Sequence, residues 1–281
     1  MLSGIDQEKH RKTIPSRRCD RPDFYWIFKD MDFQQWYNGT GHQALWLSGR
    51  RECYIDHASS HIVDLAKSQA AGVQHSVLFF FCSTAAREDS IVKVFVHTLL
   101  QQIVHNLRPQ NRKSFITKFI EILLQSILTR ELPQDQDLWR FEYVHSQSPT
   151  IRKIIDTASD SDYWDALSKV LPAENERELC LIVDGLHEIG HRQGFIKGLR
   201  TFVLNLQKKI TRVRSLFTSR PQVGMKTEME RITCIEYDAE RKGWFLQVFP
   251  SLTPTPAKNK RSMSRYFAFQ QHTIRKDFER A

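Results

Sequence analysis

Leu179-Cys180-Leu181-Ile182-Val183-Asp184-Gly185-Leu186-His187-Glu188 is the stretch whose reading decides the fold. Leu179 to Val183 is an uninterrupted apolar run rich in branched side chains. It is too short for a free-standing helix, and a run of this kind reads as a strand buried on both faces of a parallel sheet. Asp184 then falls at the carboxyl end of the strand, where such sheets place their ligand sites.

Working outward, Val213-Arg214-Ser215-Leu216-Phe217-Thr218-Ser219-Arg220-Pro221 reads as a second buried strand, and Gln74 to Cys82, with Val77-Leu78-Phe79-Phe80-Phe81 at its centre, as a third. Ala44-Leu45-Trp46-Leu47-Ser48-Gly49 is a strand entering a glycine turn, and Ile232 to Tyr237 is the last strand. Apolar spacing predicts helices over Ser59–Ala66, Ser90–Leu107, Arg112–Arg130, Thr150–Thr157, Asp162–Val170 and Gln193–Lys208. The aromatic-rich segment Pro22 to Tyr37 predicts one or two short helices packed on the main domain. Five strands alternating with helices give an α/β fold with a parallel sheet covered on both faces. The expected organisation is an N-terminal helical lead-in over 1–40, the main domain over 41–237 and a Pro-rich, basic tail over 238–281.

Composition narrows the function classes. No apolar run reaches the ~20 residues of a membrane span, and Met1 to Arg21 is polar and basic without the apolar centre of a secretory signal. The five cysteines, Cys19, Cys53, Cys82, Cys180 and Cys234, are odd in number and far apart, which suits reduced thiols in a cytoplasmic protein. The net charge of +9 gathers in two clusters, Lys9 to Arg21 and Lys258 to Arg280. Neither is interleaved with aromatic or glycine motifs of a nucleic-acid module, so both read as solvated tails.

Two motifs compete for the residues after Val183. A hydrophobic strand ending in Asp, with a further acid four residues on, is the Walker B pattern of P-loop NTPases. There Asp184 would hold Mg²⁺, directly or through water, and Glu188 would activate the attacking water. His187-Glu188-Ile189-Gly190-His191 is also a literal H-E-x-x-H, the zinc-peptidase signature. Its extended form wants a third His where Lys197 stands, and Arg192 to Thr227 contains no His, Asp or Glu. The strand before His187 is also the wrong backbone for a helical zinc motif, so no zinc is expected.

A phosphate loop following the first strand would read G-x-x-x-x-G-K-[ST], glycines letting backbone N–H groups approach phosphate and lysine neutralising it. Counted from Gly49, the residues are Arg50, Arg51, Glu52, Cys53, Tyr54, Ile55 and Asp56. The second glycine falls on Tyr54, the lysine on Ile55 and the hydroxyl on Asp56, while Glu52 and Asp56 bring negative charge to a phosphate site.

The order Trp46-Leu47-Ser48-Gly49, Phe79-Phe80-Phe81, Leu181-Ile182-Val183-Asp184-Gly185-Leu186-His187-Glu188 and Phe217-Thr218-Ser219-Arg220-Pro221 resembles the NACHT-type NTPase domain of fungal STAND proteins, in particular the nephrocystin-3-like N-terminal domain. The likeness runs from about Arg11 to Tyr237 and includes Asp32-Phe33-Gln34-Gln35-Trp36. It implies strand order 5-1-4-3-2, Mg-ATP or Mg-GTP as ligand, and a switch role in signalling with protein partners or self-association. Residue by residue it assigns Gly49 to the loop, Asp184 to Mg²⁺, Glu188 to water activation and Arg220 to the strand-four sensor. His187 departs from a usual second Asp, and the loop from Arg51 to His57 departs while keeping its length. That block points to a degenerate paralogue or to compensating frameshifts. The sensing and effector parts of such receptors are expected to be missing. The readings are a nucleotide-switch module with impaired grip acting as an interaction domain, an active NTPase, and a zinc peptidase.

Overall fold

The computed structural model describes residues 6–13, 25–41, 43–49, 55–70, 75–82, 90–131, 157–174, 178–189, 192–210, 212–222, 224–230 and 232–236. The chain divides into two units, Met1–Tyr237 and Asp238–Ala281, and every described residue belongs to the first. The expected tail, the connection Pro133 to Pro149 and nearly all of the helix expected over Thr150–Thr157 lie outside the described residues.

Strands β1 (Ala44–Ser48), β2 (His75–Phe81), β3 (Glu178–Asp184), β4 (Val213–Ser219) and β5 (Thr233–Glu236) form one all-parallel sheet in the order β2-β3-β4-β1-β5. Read from the other edge, this is the order 5-1-4-3-2. Helices α1 (Gln7–Thr13), α2 (Met31–Asn38), α3 (Ile55–Ala70), α4 (Ile91–Asn106), α5 (Pro109–Glu131), α6 (Asp160–Glu174), α7 (Arg192–Lys209) and α8 (Met225–Glu228) surround it. A 3₁₀ turn over Tyr25–Lys29 precedes α2.

All seven residues of β3 are buried, which is why the strand reads as a continuous apolar run rather than an alternation. Successive side chains still point to opposite faces. Leu179, Leu181 and Val183 join Leu78, Phe80 and the apolar faces of α4, α5, α6 and α7 in one core. Cys180 and Ile182 join Val77, Phe79, Phe81, α2 and α3 in the other. Each fully buried large apolar side chain contributes about 1.5–3 kcal/mol through removal from water, so the two layers dominate the stability of the described unit.

Local signals agree with these layers. Asp30 caps α2 by accepting from the N–H groups of Asp32 and Phe33, and Gly39, at φ 68°, ends it in the left-handed region that glycine enters without a Cβ penalty. Ser90 caps α4. Beneath α2, Arg214 pairs with Glu178 at 2.7 Å and donates to the Tyr37 carbonyl, tying the amino ends of β3 and β4 to α2.

One sequence expectation fails. The first basic cluster is not wholly a solvated tail, because Arg11 is 6% exposed and bridges Glu8 on α1 and Asp64 on α3. A guanidinium can be buried in this way only when carboxylates and carbonyls satisfy it. Composition registers the charge of Arg11 and not its partners.

Candidate functional site at the carboxyl ends of β1, β3 and β4

The chain leaves β1 for α3 in one layer and β3 for α7 in the other. In open α/β sheets the usual ligand position is at the carboxyl ends of the strands, where the chain departs to opposite faces. Asp184 sits there at the end of β3 and is 7% exposed. Its Oδ1 accepts from Thr218 Oγ1 of β4 at 2.5 Å and lies 2.6 Å from Ser59 Oγ of α3. These are short, charge-assisted contacts, stronger than neutral hydrogen bonds. The Ser59 hydroxyl is also 2.9 Å from the Ile55 carbonyl one turn back.

The neighbouring β4 residues connect the site to β1. The backbone N–H of Gly185 donates to Thr218 Oγ1 at 3.1 Å, and Gly185 adopts φ 80°, so glycine is required where the chain turns out of β3. The N–H of Gly49 donates to the Ser219 carbonyl at 3.1 Å, and the Trp46 indole donates to Ser219 Oγ at 2.8 Å. Thr218 and Ser219 thereby join Asp184 at the end of β3 to Gly49 after β1.

Glu188 ends the 3₁₀ turn Leu186–Glu188, and its side chain is 35% exposed. His187 Nδ1 accepts from the Arg220 backbone N–H at 3.1 Å. An imidazole nitrogen that accepts carries no proton, so the proton belongs on Nε2, which lies 3.7 Å from Glu188 Oε1. Arg220 is exposed and follows β4 directly. Burial, followed by the charges of Asp184 and Glu188, pushes the Cys82 thiol well above its ordinary pKa, which makes it an inert core group beside an acidic site.

Gly49, Asp184, Glu188 and Arg220 therefore gather at one end of the sheet. Arg50, Arg51, Glu52, Cys53 and Tyr54 lie outside the described residues, as does the side chain of Asp56. Ile55, at the lysine position of the expected loop, opens α3 and is 9% exposed. Ser59 and Thr218 escaped the sequence reading. Ser59 lies three residues beyond Asp56, one turn deeper on the same helical face, so carrying the hydroxyl position one turn along α3 would have found it.

The zinc motif does not form a helical pair. Ile189 is extended, with φ −84° and ψ 122°, and α7 begins only at Arg192, so no continuous helix carries residues 187 to 191. His191 itself lies outside the described residues, and among those described no three His, Cys, Asp or Glu side chains are grouped to hold a metal. No described helix is long and apolar enough to cross a membrane.

Among the described residues the fit to a Mg-nucleotide is poor, because the lysine position carries a buried Ile55 and Asp184 Oδ1 is engaged by two side-chain hydroxyls. No curated protein matches the chain. The family model described as nephrocystin 3, N-terminal, matches residues 24–145, so over that part the chain is similar to this family.

Proposed function

We propose that the chain is a NACHT-like switch module of a fungal STAND-type signalling protein that has lost its phosphate grip and works in the cytoplasm as an interaction domain, through protein partners or self-association. The observation that carries this reading is a parallel sheet in the order β2-β3-β4-β1-β5 whose Asp184, at the end of β3, is held by Ser59 and Thr218, with Gly49 following β1 and a buried Ile55 at the lysine position. The likeness of residues 24–145 to the nephrocystin 3 N-terminal family supports the module class.

A second reading, an active ATP- or GTP-hydrolysing enzyme, is favoured by the retention of Asp184 and Glu188 at the positions for Mg²⁺ and water activation. These acids act on metal and water and do not hold phosphates. Losing a charge-assisted phosphate contact costs on the order of 2–4 kcal/mol, or up to ~10³-fold in affinity.

A rescue experiment separates the two readings. Arg51→Pro, Glu52→Gly, Tyr54→Gly, Ile55→Lys and Asp56→Thr rebuild the loop, and both proteins are compared by thermal shift in saturating Mg-ATP or Mg-GTP. Ligand at ~100 times its Kd stabilises the rebuilt protein by ~2.7 kcal/mol, a shift of several degrees, while the original does not move. Equal shifts in both would establish the active NTPase instead.

A further inference from the structure

His187 lies on the 3₁₀ turn that leaves β3, and its side chain is 13% exposed. Two of its bonds reach the chain that leaves β4. Its Nδ1 accepts from the Arg220 N–H at 3.1 Å, and its backbone carbonyl accepts from Gln222 Nε2 at 3.4 Å. The second bond is indifferent to the charge of the ring, and the first is not. A ring nitrogen accepts through one in-plane lone pair, which protonation consumes. The bond to Arg220 therefore exists only in the neutral imidazole, whatever else the ring touches. Imidazole is the side chain whose ordinary charge change falls between about pH 5 and pH 8. On one side of Arg220, Ser219 is fixed in the sheet, since its carbonyl accepts from Gly49 and its hydroxyl from Trp46. On the other side, Pro221 has no N–H to offer.

We propose that His187 is a proton-operated latch, whose neutral ring holds Arg220 against the turn after β3 and whose protonated ring releases it. The charged groups around the ring set the balance. Glu188 Oε1, 3.7 Å from Nε2, and Asp184 at the end of β3 favour the charged ring. Cys82, beside these two acids, stays a neutral thiol. β4 and α7 pack against the turn. β4 has one charged residue, Arg214, which is paired with Glu178 at the opposite end of the sheet. α7 carries Lys197 and Arg200, which with Arg220 favour the neutral ring, and the side chains of His191 and Arg192 lie outside the described residues. On protonation Nδ1–H and the Arg220 N–H become two donors face to face, while the new charge is shared with Glu188 through Nε2. Release unfastens an exposed arginine at the end of the sheet that carries Asp184. The latch needs neither nucleotide nor partner, so it goes beyond the function proposed above and stands whichever of its two readings holds.

The test is nuclear magnetic resonance on the full chain from about pH 5 to about pH 8. The titration of the His187 ring and the hydrogen exchange of the Arg220 amide are followed together. The Gly49 amide, bonded to a carbonyl that does not titrate, supplies the intrinsic effect of pH on exchange. The latch predicts that Arg220 loses protection relative to Gly49 roughly three- to tenfold, the worth of one such bond, as pH falls through the midpoint of His187. In His187→Asn, whose Oδ1 takes the place of Nδ1 and does not titrate, Arg220 stays protected at every pH. In His187→Phe, which keeps a ring and lacks the acceptor, it is unprotected at every pH. Protection of Arg220 that ignores the His187 midpoint, or a ring that does not titrate in this range, overturns the proposal, and so does a pH step that survives in His187→Asn. The first two outcomes are read on the unaltered chain, so they decide the matter even where a variant fails to fold.

Discussion

At the residue scale the decisive arrangement is a carboxylate held by two hydroxyls. The position of Asp184 at the end of β3 was legible in the sequence, because the apolar run Leu179 to Val183 stops there. Its partners were not legible, since a serine inside an amphipathic helix and a threonine near the end of a strand look the same whether or not they reach a charge. The contacts carry measurable stability, because an acid that is 7% exposed cannot exchange a lost hydroxyl freely for water. Ser59→Ala is expected to lower the unfolding free energy by about 1–2 kcal/mol in urea denaturation. Thr218→Val keeps the shape and leaves the Gly185 N–H its bond to the Thr218 carbonyl at 3.1 Å, but it removes the shortest contact to Asp184, so it should cost about as much as Ser59→Ala or somewhat more, about 1–3 kcal/mol. Because both hydroxyls act on one oxygen, the double variant should depart from the sum of the two. Unchanged denaturation midpoints would show that Asp184 is solvated and open to a metal.

At the scale of elements the sheet was readable and its edges were not. β2 is nearly all apolar, like β3, and the run gives no sign that one strand is central and the other lies at an edge. The structure closes that edge with side-chain amides. Gln102 accepts from the Phe79 N–H at 3.0 Å and donates to its carbonyl at 2.7 Å, reproducing the two bonds a neighbouring strand would have made. An open edge invites pairing between molecules, which native sheets avoid by covering it. Gln102→Leu keeps the size of the side chain and removes both bonds. It is expected to cost about 1–2 kcal/mol, to speed exchange of the Phe79 amide, and to increase concentration-dependent association in light scattering. Gln102→Glu retains the acceptor and loses the donor, and should fall between. A Phe79 amide with unaltered exchange in Gln102→Leu would mean that the edge is closed by something other than this side chain.

At the scale of the whole molecule, the strand order implied by resemblance matches the structure because alternating strands and helices leave few right-handed ways to cover both faces of a parallel sheet. Charge distribution was less legible, since Arg11 and Arg214 count toward +9 in the sequence while each is paired locally with an acid, Asp64 and Glu178 respectively. The second unit, Asp238–Ala281, contributes nine Lys or Arg against four Asp or Glu. Every described residue of the two cores and of the hydrogen-bonded site belongs to the first unit. On that division into units we expect a chain ending at Tyr237 to fold alone. Its thermal midpoint should lie within about 2 °C of the full chain, because a 1 kcal/mol loss moves a domain of this size by about 2–4 °C. Its far-ultraviolet circular dichroism per residue should keep the α/β signature. The shortened chain should also bind a cation-exchange resin less strongly, since it sheds more positive than negative charge. A midpoint lowered by 10 °C or more, a loss of ~2.5–5 kcal/mol, would mean that the sheet depends on the second unit and that 41–237 is not a self-sufficient domain.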